Sequence, residues 1–195
     1  MEPSQDASLC EPELSGSDSL KLDLYFWLQA LVMALIALIL VFTFLGRVVG
    51  VDGDSMVPTL HDGDMILLQS AGYTPRQNDV IVLTKPFGPF RGPIVKRVIA
   101  VGGQTVEIDY AAGTVLVDGL PLEEPYLNEV MCAPSDPHET ISSATVPEGC
   151  LFVMGDNRNH SSDSRDERLG VVDARYVLGR AAAVLLPLSH AGAIS

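Results

Sequence analysis

Residues 104–119 have the sequence QTVEIDYAAGTVLVDG, in which two short β-prone runs flank an Ala-Ala-Gly connection at residues 111–113. Val106 and Ile108 alternate with polar residues, so a strand would place both side chains on one face. The glycine in the connection suits a tight turn between antiparallel strands. The stretch therefore predicts a β-hairpin.

Short runs of the same character fill the chain on both sides of this hairpin. They are MILLQ, DVIVLT, PIVKRVIAV, LFVMG, RYVLG and AAAVLL. Each is bounded by Gly, Pro, Asp or Asn, which predicts a mainly β, antiparallel domain over residues 47–195. Residues 127–148 are polar and broken by prolines, so we expect a loop or insertion there.

Residues 24–45, LYFWLQALVMALIALILVFTFL, contain no charged side chain. At about 1.5 Å per residue such a run crosses the roughly 30 Å hydrocarbon core of a bilayer. Three aromatic residues at its start, 25–27, suit the lipid–water interface. The pattern predicts one transmembrane helix over residues 24–46, preceded by a disordered acidic tail at residues 1–23.

The residues on either side of this helix indicate whether it is cleaved off and which way it crosses the membrane. No small-x-small cleavage site follows the apolar run, and the preceding tail is acidic, so we expect a retained anchor rather than a cleaved signal peptide. Lys21 on one side and Arg47 on the other are nearly balanced, so charge leaves the orientation open.

Composition excludes one class of partner. The chain has 195 residues, is 47% hydrophobic and carries a formal net charge of −13. Nucleic-acid binding needs clustered basic residues, and the only adjacent basic pair is Lys96-Arg97. We therefore expect no nucleic-acid partner.

Two of the three cysteines, Cys132 and Cys150, lie beyond the apolar run, whereas Cys10 precedes it. In an oxidising compartment Cys132 and Cys150 could form a disulfide, and the alternative is two buried thiols.

A candidate nucleophile lies in DGDSMVPTLHDGD, residues 52–64. Gly53 permits close backbone approach before Ser55, Met56 is apolar and flexible, and Pro58 fixes the chain beyond it. Serine needs a base, because its hydroxyl is a poor nucleophile at neutral pH. The nearest histidine, His61, lies between acidic turn residues, and we expect it on the surface rather than in a catalytic triad.

Lys96 is the better candidate base. It lies within the strand-like run PIVKRVIAV, where alternation places Lys96 and Arg97 on opposite faces, so that one of the two points inward. A lysine that faces an apolar interior has a lowered pKa, and its neutral amine can accept a proton. Arginine cannot do this, because it stays protonated.

The third segment with polar chemistry is GDNRNHSSDSRDERLG, residues 155–170. An EF-hand would need an oxygen ligand where Arg158 stands, so a calcium loop is not expected. Asp-Arg pairs that orient a hydroxyl fit these residue types better.

Together, these segments behind an N-terminal membrane helix resemble the type I signal peptidases, membrane-bound serine proteases with a Ser-Lys dyad. Four stretches carry the resemblance: SMVPTL at 55–60, NDVIV at 78–82, KRVI at 96–99 and GDNRNHSSDSR at 155–165. The single helix is similar to the Gram-positive form of the family.

The resemblance implies a role for each matching residue. Ser55 would be the nucleophile, its backbone N–H an oxyanion donor, and Lys96 the general base. Ser161 would hydrogen-bond and orient the amine, with Met56 and Gly53 contacting substrate. The supporting framework would comprise Arg97, Asp156, Arg158, Asp163 and Arg165.

The resemblance also implies a function and a location. The protein would remove signal peptides from exported preproteins, cutting after small residues at an A-x-A-like site, as a monomer in membrane lipid. The tail would be cytoplasmic and the β domain extracytoplasmic, with no metal or cofactor. The alternatives are a dedicated peptidase of a pilin or conjugation system, and a catalytically degenerate module that only binds peptides.

Overall fold

The computed structural model describes residues 16–44, 47–89 and 91–194. The chain divides into two units, residues 1–42 and residues 43–195. The first contains the apolar helix and the second contains all of the described strands. The structure confirms a mainly β, antiparallel fold with one N-terminal helix.

The helix, α1, spans Gly16–Phe44. Its segment Leu20–Ile39 has a mean hydropathy of 2.0 and is long and apolar enough to cross a membrane. The helix begins before residue 24, so the part of the expected disordered tail from residue 16 onward is helical. Residues 1–15 of the expected tail lie outside the described residues.

The strands follow in chain order. They are β1 Arg47–Gly50, β2 Met65–Gln69, β3 Val80–Leu83, β4 Ile94–Val101, β5 Thr105–Asp109, β6 Thr114–Val117, β7 Leu120–Pro121, β8 Ser143–Thr145, β9 Cys150–Met154, β10 Val172–Asp173, β11 Val177–Leu186 and β12 Gly192–Ala193. The larger sheet has the order β1-β2-β11-β3-β4-β9-β10, with β12 paired to β11, and the smaller has the order β7-β6-β5-β8.

The opening hairpin is present as β5 and β6, with Val106 opposite Val117 and Asp109 opposite Thr114. Val106 and Ile108 are buried together on one face, as their alternation predicts. That face contributes to a cluster with residues of β4 and β9, including Ala100 and Phe152. Apolar packing therefore joins the small sheet to the large one.

Two further elements differ from expectation. The runs RYVLG and AAAVLL contribute to a single strand, β11, because Gly179 allows close approach: a Cβ there would lie 2.6 Å from the Gln69 carbonyl oxygen. Within residues 127–148, the segment β8 is a strand rather than loop, since it hydrogen-bonds to β5. Its sequence, Ser-Ala-Thr, has little β character of its own, so the pairing determines its conformation.

Candidate active site

The loop between β1 and β2, residues 51–64, carries Ser55 and is called the serine loop below. The Val51 N–H donates to the Asp64 carbonyl at 2.8 Å, and the Gly63 N–H donates to the Val51 carbonyl at 3.0 Å. Met56 and Leu60 are buried in the apolar cluster beneath the loop. Backbone hydrogen bonds at the base and apolar side chains below therefore fix the position of Ser55.

Lys96, on β4, reaches this serine. Its Nζ lies 2.7 Å from Ser55 Oγ and donates to the Val95 carbonyl at 3.0 Å. The side chain is buried, and burial lowers the pKa of Lys96 to about 8, although Asp163 and Asp156 oppose the shift. A nucleophile and a base whose neutral form is accessible near neutral pH therefore lie within hydrogen-bond distance.

The prediction that only one of Lys96 and Arg97 points inward is wrong, because both side chains are buried. Arg97 donates from Nε and Nη2 to the two oxygens of Asp156, each at 2.8 Å. Its guanidinium also lies 3.9 Å from the Tyr126 ring centroid. Both faces of β4 are covered at this point, one by the dyad and the other by this buried ion pair.

Ion pairs and hydrogen bonds of charged side chains hold the segment after β9, residues 155–165. Arg165 pairs with Asp163, with Nε to Oδ1 at 2.8 Å, and Asp163 accepts from the Gly155 N–H at 3.0 Å. Burial alone would raise the pKa of Asp163, but the Arg165 guanidinium outweighs burial and the pKa lies below its usual value. Arg158 donates to both carboxylate oxygens of Glu124 and to the Gly155 carbonyl.

This segment also holds the serine loop directly. The Asn157 N–H donates to the Ser55 carbonyl at 3.0 Å, and its side-chain amide donates to the Asp54 carbonyl at 3.1 Å. Thr59 donates to Asp156 at 2.5 Å. Sequence reasoning assigned no role to Asn157, Thr59 or Glu124. The charged residues of 155–165 were the available signal, because any charge that becomes buried needs a partner. The sequence does not identify which residue is that partner.

Ser161 does not make the predicted hydrogen bond to Lys96. Its Oγ is buried and has no hydrogen-bond partner among the described residues. The amine bonds instead to Ser55 and to the Val95 carbonyl, which is adjacent to it in sequence. Ser161 and the Ser55 carbonyl both lie close to Gly155. A Cβ on this glycine would overlap both groups.

A cleft of about 350 Å³ opens beside the dyad. Ser55 and Lys96 line it, as do the predicted contact residues Gly53 and Met56. Other residues that the sequence did not single out also line it, both apolar and polar, among them Val51, Val82, Phe87, Pro93, Ile94, Val95, Asp52, Asp54, His160 and Ser162. The Ser55 hydroxyl therefore opens onto a cleft with a mixed apolar and polar lining.

Of the two alternatives for Cys132 and Cys150, the disulfide is not formed, because both cysteines are free in the structure. Cys132 is exposed in the loop, where its N–H donates to the Asn159 side chain at 2.8 Å. Cys150 is half-buried and begins β9, where it pairs with Asp173. The two cysteines are thus held by different partners, and neither is a fully buried thiol.

The chain is similar to several known proteins. A family model described as signal peptidase, peptidase S26, matches residues 24–186. Signal peptidase I of Mycobacterium tuberculosis is 34% identical, covering 84% of this chain and 74% of that protein. Signal peptidase I of Bacillus licheniformis is 32% identical, covering 89% of this chain and 95% of that protein. A crystal structure of a signal peptidase I from Enterococcus faecalis is 32% identical, with a TM-score of 0.44, and covers 55% of this chain and 97% of that one.

Proposed function

The chain belongs to the signal peptidase family, peptidase S26, and on that premise we propose that Ser55 and Lys96 form its catalytic dyad. The activity is that of signal peptidase I, a serine peptidase that removes signal peptides from secreted preproteins. The assignment of the dyad rests on one observation. A buried amine and a hydroxyl lie 2.7 Å apart and line the same cleft.

In the proposed reaction, neutral Lys96 accepts the Ser55 hydroxyl proton as Oγ attacks the scissile carbonyl carbon. The lysine then gives that proton to the leaving amine, the peptide C–N bond breaks, and an acyl-enzyme remains on Ser55. Lys96 next takes a proton from water, whose oxygen attacks the ester carbonyl. The ester C–O bond then breaks, Lys96 returns its proton to Ser55 Oγ, and the cleaved peptide leaves as a carboxylic acid, which regenerates the serine hydroxyl and the neutral amine.

The developing oxyanion needs donors, and the Ser55 backbone N–H is available. Within the described part of the chain it donates to no backbone or side-chain acceptor. An N–H without a partner can point at the oxyanion without first breaking another bond. We assign it as one donor of the oxyanion hole.

Ser161 acts during turnover in this proposal, not in the resting arrangement. A buried hydroxyl without a partner is costly, so its position favours a role in which it gains one. As Lys96 takes the proton it acquires a third N–H, which needs an acceptor, and the Ser161 hydroxyl would supply one. Ser161→Ala should then lower kcat more than it changes KM.

We propose cleavage after small apolar residues, and the apolar part of the cleft lining supports an apolar residue at that position. Met56, Phe87 and Ile94 line the cleft of about 350 Å³ beside Ser55, and in this proposal they contact the side chain before the cut. Replacing Ile94 with Ala would enlarge the cleft, and we expect improved cleavage of substrates with a larger residue before the cut.

The helix supports a single-pass anchor in the cell membrane with residues 47–195 extracytoplasmic. Secreted chains are cut after export, which places the catalytic unit outside and residues 1–23 in the cytoplasm. Both members of the dyad come from one chain, so we propose an active monomer whose helix is surrounded by lipid. Depletion in cells should cause many preproteins to accumulate, whereas a dedicated pilin or conjugation peptidase would affect one or a few.

The direct test is a cleavage assay with the detergent-solubilised chain and a preprotein. Ser55→Ala and Lys96→Ala should each abolish the product, because each removes one half of the dyad. Ser70→Ala, at an exposed serine outside the cleft, should retain full activity. Circular dichroism establishes that the variants are folded, and product formation by folded Lys96→Ala would refute the assignment.

A further inference from the structure

A second group of chemically active side chains lies outside the dyad. His61, Asp64 and His190 each offer a potential ligand atom, and these atoms all lie within 4.8 Å of one another. The two imidazole rings have centroids 4.9 Å apart at an interplanar angle of 37°. The proposed peptidase reaction uses none of the three residues.

The fold fixes this arrangement from two directions. Asp64 closes the base of the serine loop and immediately precedes β2, in which Met65 pairs with Leu186 of β11. The chain leaving β11 therefore starts beside Asp64. It returns as β12, after which Ile194 is buried in the core. His190 lies in the turn between β11 and β12, so both ends of its segment are secured.

The carboxylate is the buried and most constrained member of the group. Asp64 is 1% exposed. Its Oδ2 accepts a hydrogen bond from the backbone N–H of His61 at 2.9 Å, and its Oδ1 lies 3.1 Å from His190 Nδ1. The hydrogen bond to Oδ2 orients the carboxylate, as groups behind metal ligands commonly do. The two imidazoles are exposed, so an ion could enter from solvent.

We propose that His61, Asp64 and His190 form a binding site for Zn²⁺. Two imidazole nitrogens and a carboxylate oxygen are a donor set that zinc accepts, with water as a fourth ligand. Imidazole donors disfavour Mg²⁺ and Ca²⁺, which prefer oxygen ligands. Binding would replace the Asp64–His190 hydrogen bond with two bonds to the metal.

Zinc at this site would join the C-terminal segment to the loop that carries Ser55. Asp64 and His61 belong to that loop, whereas His190 belongs to the segment after β11. An ion that binds only the folded arrangement stabilises it in proportion to its occupancy. The site would thus stabilise the fold around the serine loop without taking part in the chemistry.

The test is a titration of the full chain in detergent, purified without a polyhistidine tag and stripped of metal by a chelator. Isothermal titration calorimetry with ZnCl₂ should give one site per chain, and Zn²⁺ should raise the melting temperature, whereas MgCl₂ should do neither. His61→Gln and His190→Gln should each weaken Zn²⁺ binding by at least about 10-fold, because each removes a ligand, and loss of a group behind a ligand already costs about 10-fold to 100-fold.

The matched control is His138→Gln, which changes an exposed histidine outside the cluster and should leave zinc affinity unchanged. Both His61 and His190 are exposed, and melting curves without metal establish that their variants are folded. The proposal is overturned if the wild-type chain binds no zinc at micromolar concentrations. It is equally overturned if the His61 and His190 variants bind zinc as tightly as the wild type.

Discussion

At the scale of single residues, the proposed chemistry depends on the burial of Lys96. The side chain is 3% exposed, and burial disfavours its ammonium form, which is why its pKa falls to about 8. The same burial has a cost. Because the unfolded chain binds the proton more tightly than the folded one, the charged amine weakens folding at pH values below the folded pKa.

Replacement of Lys96 should therefore separate stability from activity. In the folded state its pKa is lowered from 10.5 to about 8, so stability should rise as the pH increases through this interval. Lys96→Met removes the buried charge, and we expect the free energy of unfolding at pH 7 to increase by about 1–3 kcal/mol while cleavage is lost. Urea denaturation measures the change.

Lys85→Met is the matched control, because the Lys85 amine donates to the carbonyls of Leu169 and Val171. Its removal leaves those acceptors without that donor, and we expect a loss of stability. A Lys96→Met variant that is less stable than the wild type at pH 7 would contradict the account of Lys96.

At the scale of elements, the junction between β9 and the segment after it positions the serine. Gly155 follows β9, and its Cα faces both Ser161 and the Ser55 carbonyl. The next residues, Asp156 and Asn157, bind the serine loop through Thr59 and the backbone. These hydrogen bonds link the serine loop to the segment after β9, so we expect a displacement of one to displace the other.

Gly155→Ala should displace Ser55 without removing any catalytic group. The added methyl would overlap Ser161 and the Ser55 carbonyl, and a misplacement of about 1 Å lowers rates by roughly 100-fold. We expect kcat/KM to fall by about that factor. Gly192→Ala is the control, because a Cβ there has nothing within 4 Å, and it should leave kcat/KM unchanged. Equal kcat/KM values for the two variants would contradict the claim that Gly155 determines the position of Ser55.

Elements with internal periodicity could be predicted from the sequence, and those defined by a partner could not. The β5–β6 hairpin follows from the alternation of Val106 and Ile108. The strand β8 depends on the neighbouring edge of β5, and β11 depends on the contact of Gly179 with Gln69. Such contacts between distant residues have no local signal.

The same distinction applies to the site. Ser55 and Lys96 could be singled out by residue type, position and family resemblance. The partners that hold them, such as Asn157 on the Ser55 carbonyl, depend on three-dimensional proximity. The free state of Cys132 and Cys150 also depends on the spatial arrangement of their segments.

At the scale of the whole molecule, we propose separate tasks for the apolar helix, as a membrane anchor, and for the catalytic unit. The apolar segment Leu20–Ile39 is long enough to cross a membrane, and Ser55 follows the helix closely in sequence. A signal peptide held in the same bilayer would meet the enzyme at a raised effective concentration. The anchor should therefore matter for membrane-bound substrates and not for chemistry.

Removal of residues 1–46 tests this division of labour. The remaining chain should cleave a short soluble peptide at the full-length rate in detergent, because it keeps Ser55 and Lys96. Cleavage of a preprotein embedded in lipid vesicles should fall by about 10²-fold, since avidity from a shared membrane is lost. Equal rates for both forms on the embedded preprotein would contradict a role for the anchor.

The central claim is that neutral Lys96 deprotonates Ser55, and the dependence of kcat/KM on pH with a soluble peptide tests it most directly. Only the unprotonated amine is active, so kcat/KM should rise tenfold per pH unit and level off above an apparent pKa of about 8. A rate that is independent of pH between 6 and 9, or one that folded Lys96→Ala reproduces, would contradict the claim.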